Sequence, residues 1–355
     1  MKVTRPFATS IAALLAASHL AVAEHDPKKT NPALSYWQAA ASLPELSDEQ
    51  AKGLREISNG KTTFDPAVLD GLDFSRSLAF VRKGAASAAE CEWGLAHEDG
   101  PEMNIPHLSK LRELAAMVLV LAESKFAQGD TAAGTDLLII THHLARDAGA
   151  SALLISHVVQ SSTERLALSA AARHCLSWNA EERRAYARQL AALPPLHPVH
   201  EAYASERVWV DWFEAQVENN FEKARKELGL DAGKLATPAA AKEMIAGHRA
   251  MSAKAYDLLK LEGADRRAAA KAFEKEIMES KNLLVAVLMP ALSGIVRGDD
   301  RTEAAHRMLE LVLEHGSELT QDDLADTGFK LKRETDGGME LSSSEPEFTL
   351  QFPKP

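Results

Sequence analysis

Cysteine is almost absent: two thiols occur in 355 residues, and no Cys-x-x-Cys spacing is present. This excludes a disulfide-dense secreted scaffold and a cysteine-held zinc or iron–sulfur centre. Cys91 and Cys175 leave two readings open, one long-loop disulfide or two separate buried thiols. Aromatic residues are also few, at 6%, and the 19 glycines and 15 prolines avoid the long apolar-periodic stretches. Those stretches are therefore free to run as helix. Positive charge is short, with 40 Lys and Arg against 51 Asp and Glu, a net charge of −11. No basic cluster goes unanswered by neighbouring acids, which excludes nucleic acid as a partner and disfavours anionic membrane surfaces. No Gly-x-Ser-x-Gly elbow, His-Glu-x-x-His pair, dinucleotide fingerprint or phosphate loop exists. Ser58-Asn-Gly-Lys61 has Ser-x-x-Lys spacing but falls in a loop with no partner motif. The sequence therefore assigns no catalytic residue and no cofactor.

What is present begins with an export pattern. Lys2 and Arg5 give a basic start, Ile11-Ala-Ala-Leu-Leu15 an apolar centre, and Ala21-Val-Ala23 a small-residue cleavage site. Polar punctuation at Thr9, Ser10, Ser18 and His19 keeps the stretch short of the apolar length a membrane anchor needs. Cleavage after Ala23 leaves a soluble chain in the periplasm or outside the cell, with residues 24–32 as a polar tether.

The organising stretch is 106–174. Leu108, Leu111, Ala115, Val118, Ala122 and Phe126 recur at three- and four-residue steps, the spacing of one helical face. Gly129-Asp130 stops that helix and caps the next, whose stripe is Leu137, Ile140, Leu144 and Ala148. Gly149-Ala150-Ser151 repeats the punctuation before a third helix with Leu154, Val158, Ser161, Leu166, Ala170 and His174 inward. Upstream, Ser47-Asp-Glu-Gln50 is a capping box; downstream, Asn179-Ala-Glu-Glu182 caps a helix that Pro194-Pro195 ends. Residues 199–228 then predict the longest helix, with Val210, Phe213, Val217 and Phe221 as its stripe and Trp209 and Trp212 beside it. Residues 282–296 are apolar nearly all round. They are too short and proline-broken to span a membrane, so they predict a buried helix kinked at Pro290, followed by a last helix over 302–315. Around Asp336-Gly337-Gly338 the pattern changes to the alternation of a small β-hairpin with room for a third strand.

The fold class that follows is all-α, an antiparallel helix-hairpin array over 33–320 with a small β-rich C-terminal appendage over 321–355. The array is one extended domain or two, dividing near 194–198. Its central hairpins are similar to tetratricopeptide units without the full consensus. Cys91-Glu-Trp93-Gly94, Asp99-Gly-Pro101, Pro106-His-Leu108, Gly129-Asp130, His143-Leu-Ala-Arg146 and Leu288-Met-Pro-Ala-Leu-Ser293 together resemble a family of exported, helix-rich bacterial proteins of unassigned function. The resemblance covers residue 31 to the C-terminus and carries no catalytic or ligand residue. It departs at the end, where Gly316-Ser-Glu-Leu-Thr320 replaces the family's tyrosine-proline turn and no Asp-Pro pair precedes Phe329.

Three clusters carry chemistry worth locating. His142, His143, His157 and Glu164 fall on adjacent predicted helices and are the candidate metal or acid/base set, against a packing role. Their spacing is not that of a zinc site, and no metal is assigned. Glu303-Ala-Ala-His306 has the carboxylate and imidazole spacing of di-iron bundles but no second copy, which predicts an exposed pair. Trp209 and Trp212 are the candidate binding surface, against a role in the core. Binding of a protein or peptide in the cell envelope is the expected function. A metal-dependent enzyme using the central histidines and a subunit of an envelope or secretion assembly are the alternatives.

Overall fold

The computed structural model describes residues 29–227 and 237–354; the expected signal, its cleavage point at Ala23 and the first part of the tether lie outside the described residues. The chain is mostly helical, with a three-stranded antiparallel sheet at the C-terminus. Helix α1 (Pro32–Ala41) starts where the Asn31 side chain accepts from the Ala33 amide and Pro32 occupies the first turn. Helix α2 (Asp48–Ser58) opens with the expected capping box, Ser47 and Gln50 serving each other's amides. Helix α3 (Ser75–Ala85) packs on α1. Gly84 permits this approach, because a Cβ there would lie 2.5 Å from the Tyr36 ring.

Helices α4 (Pro106–Ala127), α5 (Thr131–Gly149) and α6 (Leu154–His174) follow, each packed on the other two. Gly129, at φ +76°, turns the chain between the first pair, and the Asp130 side chain accepts from the Ala133 amide. Leu108, Leu111, Ala115, Val118 and Ala122 are buried as their spacing requires. Helix α4 is buried beyond that stripe, at Leu114, Met117, Leu119 and Val120, because α2 also covers it. Val158 is a correction to the expected α6 stripe: it is 41% exposed, and His157, Val159 and Glu164 are buried instead, beside the expected Ser161.

After α7 (Ala180–Ala191), capped by Asn179 and Glu182, the expected long helix from Val199 is broken. It forms α8 (Val199–Ser205) and α9 (Arg207–Glu227). Between them the Glu206 carboxylate accepts from the Leu154 amide at 2.8 Å, satisfying a donor at the start of α6. Helices α10 (Pro238–Leu259) and α11 (Gly263–Glu279) lead to α12 (Leu283–Leu288). The kink expected at Pro290 is a full break: Met289 is extended, at ψ 127°, as the residue before proline prefers. The chain beyond it joins the last helix, so α13 runs Leu292–His315.

Strands β1 (Phe329–Arg333), β2 (Met339–Ser344) and β3 (Glu347–Phe352) form a meander, with Leu331, Leu341 and Leu350 in register across it. Alternation sends Met339, Leu341, Leu350 and Phe352 inward, and they join the same core as Tyr36, Leu114, Leu138, Trp178 and Met308. The sheet is thus a wall of the main body rather than an appendage. Residues 199–296 build two smaller cores, one around Tyr203, Leu258, Phe273 and Leu292, the other around Val210, Phe213, Val217 and Ile245. No helix among the described residues is long and apolar enough to cross a membrane.

The two cysteines are free and buried apart, which corrects the disulfide reading. Cys91 lies by Asp147, near the start of α6, whereas Cys175 caps its end. The 21 residues of α6 separate the two ends by about 30 Å, far beyond disulfide reach.

Candidate functional site

The central histidines do not converge. His142, on α5, places Nδ1 2.9 Å from Glu164 Oε2 on α6, and its Nε2 lies 2.8 Å from the Tyr186 hydroxyl on α7. Arg146 reaches the same Glu164 oxygen at 2.9 Å while donating to the carbonyls of His142 and Pro194. His306 arrives from α13 with Nε2 2.9 Å from Glu164 Oε1. This corrects the reading of His306 as an exposed partner of Glu303. The two histidine contacts are close in distance but poorly aligned as hydrogen bonds.

Burial alone would raise the Glu164 carboxyl; His142, His306 and Arg146 outweigh it and hold the group well below the usual carboxylate range. Burial likewise pushes His142 down, against Glu164; its Nδ1 faces the carboxylate and its Nε2 bonds the Tyr186 hydroxyl. Tyrosine, imidazole, carboxylate and guanidinium thus form one chain across four helices. His142 and Glu164 have no exposed surface and Tyr186 has 1%, while His306, its outer member, is 21% exposed.

His157 sits two turns away from Glu164, with Nδ1 3.1 Å from the His197 carbonyl and Nε2 3.2 Å from Asp299 Oδ1. Asp299 in turn meets Arg266 at 2.9 Å. His143 is half-buried on the other side of α5, pushed down by burial and by Arg146. Among the described residues, no three His, Cys, Asp or Glu side chains are grouped to hold a metal. The physical reason is that Arg146 already occupies the one carboxylate that two histidines share.

The open feature of the main body lies elsewhere. A groove of about 1040 Å³ runs between the α1–α2 connection, α2, α4 and α6. Leu43, Leu46, Leu54, Ala116, Met117, Leu166 and Phe348 line it, with Ser109, Ser162 and Ser169 interspersed. On α6, Ser162, Leu166 and Ser169 share one helical face with Val158 and Ile155, which are 41% and 47% exposed. From Ile155 to Ser169 that face is about 21 Å long.

Four cations border the groove: Arg55, Lys110, Arg112 and Arg165. Lys110 is held by Glu113 at 2.8 Å, and Arg165 by the Gly298 carbonyl and Thr302 hydroxyl, both at 2.7 Å. Arg55 and Arg112 are exposed and have no carboxylate partner among the described residues. Glu45 and Glu113 line the groove too, yet the four cations outnumber them, a local reversal of sign in a chain of net charge −11. None of these residues was singled out from sequence. The available signal was the exposed apolar pair Ile155 and Val158 continuing a serine-rich face, which resembles an ordinary buried stripe until its neighbours are known.

The two tryptophans proposed as a binding surface separate. Trp212 lies against Gly100, where a Cβ would come within 2.5 Å of the indole, and is packed there. Trp209 lines a second cleft of about 660 Å³ between α8, α9, α10 and the Met289-Pro290 break. No family model matches the sequence, and no curated protein or solved structure shows significant similarity to it. Function rests on the geometry alone.

Proposed function

We propose that the protein is an exported binding protein of the cell envelope that holds an extended, acidic and apolar peptide segment in the α4–α6 groove. The observation that carries this reading is the pairing of an apolar trough with two arginines, Arg55 and Arg112, that have no carboxylate partner among the described residues. The volume is at the upper end of small-ligand sites. Together with the exposed Ile155–Val158 face beyond its lining, the α6 wall runs about 21 Å, the length of about six residues of extended chain at roughly 3.3 Å each. Hydroxyls along the walls suit the polar backbone of a peptide better than an acyl chain. Consecutive helices joined by the Gly129-Asp130 and Gly149–Ser151 turns support a tetratricopeptide-like reading of this part, and such arrays use their concave faces to hold peptides. The basic start and Ala21-Val-Ala23 site support export. Binding rather than catalysis is favoured because the acid–base chain at Glu164 lines neither of the two clefts described.

The test is fluorescence anisotropy with a labelled hexapeptide alternating leucine or phenylalanine with aspartate. Saturable binding is expected, weakened about tenfold or more by Arg55→Glu with Arg112→Glu and by raised salt. A peptide with lysine for aspartate should not bind. Unchanged affinity in the doubly reversed protein, or equal affinity for the lysine peptide, would overturn the reading.

A further inference from the structure

The Trp209 cleft carries an independent site. Its walls present aromatic rings from Tyr203, Trp209 and Tyr256 together with Met289, and its polar lining includes Glu206 and His248 beside Ser252, Arg207 and Arg249. Glu206 accepts from the Leu154 amide at 2.8 Å and from the Trp209 indole, yet no cation is paired with it among the described residues. Burial accordingly pushes its carboxyl up, against those two hydrogen bonds.

His248 is 6% exposed, and burial, with Arg249 adding, pushes it down to about 4, so the ring is neutral at pH 7. Met289 Sδ takes the Tyr203 hydroxyl at 3.7 Å and the Ser252 hydroxyl at 3.8 Å. With the Ser252 proton directed to sulfur, His248 Nδ1 donates to Ser252 Oγ at 3.3 Å. Nε2 is then a lone-pair acceptor, buried and without a partner. Buried acceptors are rarely left unmet. The cations nearby are already engaged or peripheral: Arg249 is held by Asp211 at 2.6 Å and Glu214 at 2.5 Å, Lys260 lies over the Tyr256 ring at 3.9 Å, and Arg207 is exposed.

We propose that this cleft binds a small organic ammonium ion carrying a hydroxyl or N–H donor. The cation lies by the Glu206 carboxylate and the Trp209 ring, and the donor meets His248 Nε2. A carboxylate without a counter-ion beside indole and phenol faces is the arrangement that attracts a weakly hydrated cation. At about 660 Å³ the cleft has room for a molecule of this class.

Isothermal titration of the full mature chain with choline, with ethanolamine, and with choline's uncharged carbon isostere decides the matter. Saturable choline or ethanolamine binding is expected, with the isostere about tenfold weaker or more. Glu206→Gln keeps an acceptor for the Leu154 amide while removing the charge, and should abolish the preference for the cation over the isostere. Trp209→Leu should weaken binding with the helical circular dichroism unchanged. Arg112→Glu, in the groove, should leave choline binding untouched, which separates this site from the peptide site. No binding of either amine, equal binding of the isostere, or an unaltered preference in Glu206→Gln would each overturn the assignment.

Discussion

Glu164 is a fully buried carboxylate answered by Arg146, His142 and His306 from two other helices. Removing one partner of such a set leaves the others buried without compensation, which typically costs about 3–5 kcal/mol. Glu164→Gln is therefore expected to lose stability of that order in urea denaturation at pH 7. Because its folded carboxyl is held below the unfolded one, the contribution is complete above the ordinary glutamate range and is lost only in stronger acid. Asp147 has the opposite sign. Burial, against the Tyr36 hydroxyl at 2.5 Å and Arg146, raises its carboxyl from 3.8 to about 6. Between those values the folded state holds more protons than the unfolded one, so this residue makes stability fall as pH rises, by roughly 3 kcal/mol over the window. His107, stacked on Trp93 at 4.6 Å and pushed by burial down to about 4, acts the other way and gains stability as pH rises toward 6.5. In Asp147→Asn the histidine contribution stands uncovered. Denaturation midpoints from pH 4 to 6.5 should therefore rise more steeply in the variant than in the wild type. Equal slopes would show that Asp147 does not titrate in this range.

At the scale of elements, the helices whose signals are local were legible. Ser47 with Gln50, Asn179 with Glu182, and Asp130 cap as their spacing predicts, and the stripes of α4 and α5 face inward. What was not legible depends on partners remote in sequence. The longest expected helix is interrupted at Glu206, whose side chain serves the Leu154 amide 52 residues away, and again at Asn220, where φ is −157° and ψ 80°. Val158 is apolar and outward on the α6 face that leads to a groove built with α2 and α4. The same holds for His306, whose carboxylate partner lies on α6 rather than one turn back at Glu303. The alternation in β2 was readable, but not that its inner face would meet the main core. A consequence follows for Leu341, which has no exposed surface and sits on the central strand. Leu341→Ala should cost about 2–5 kcal/mol and lower the thermal midpoint of the helical signal itself. An unchanged helical midpoint would mean that the sheet folds apart from the body.

Over the whole molecule, one large core spans α1–α7, α13 and the sheet, while residues 199–296 rest on two small ones. Local stability follows buried apolar contact, so the two parts should open separately. Native-state hydrogen exchange is expected to release the amides of α9 and α10 at lower free energy than those of α4–α6. Exchange of all of them in one step would show a single cooperative unit. Acidity is likewise uneven: the net −11 coexists with the Arg55–Arg112 border, so added salt should weaken groove ligands while leaving unfolding nearly unaffected.

Phe352 and its strand neighbours complete an interior begun by Tyr36. Segments far apart in the chain thus share one interior, and the helices that carry the groove lack a wall until that strand is in place.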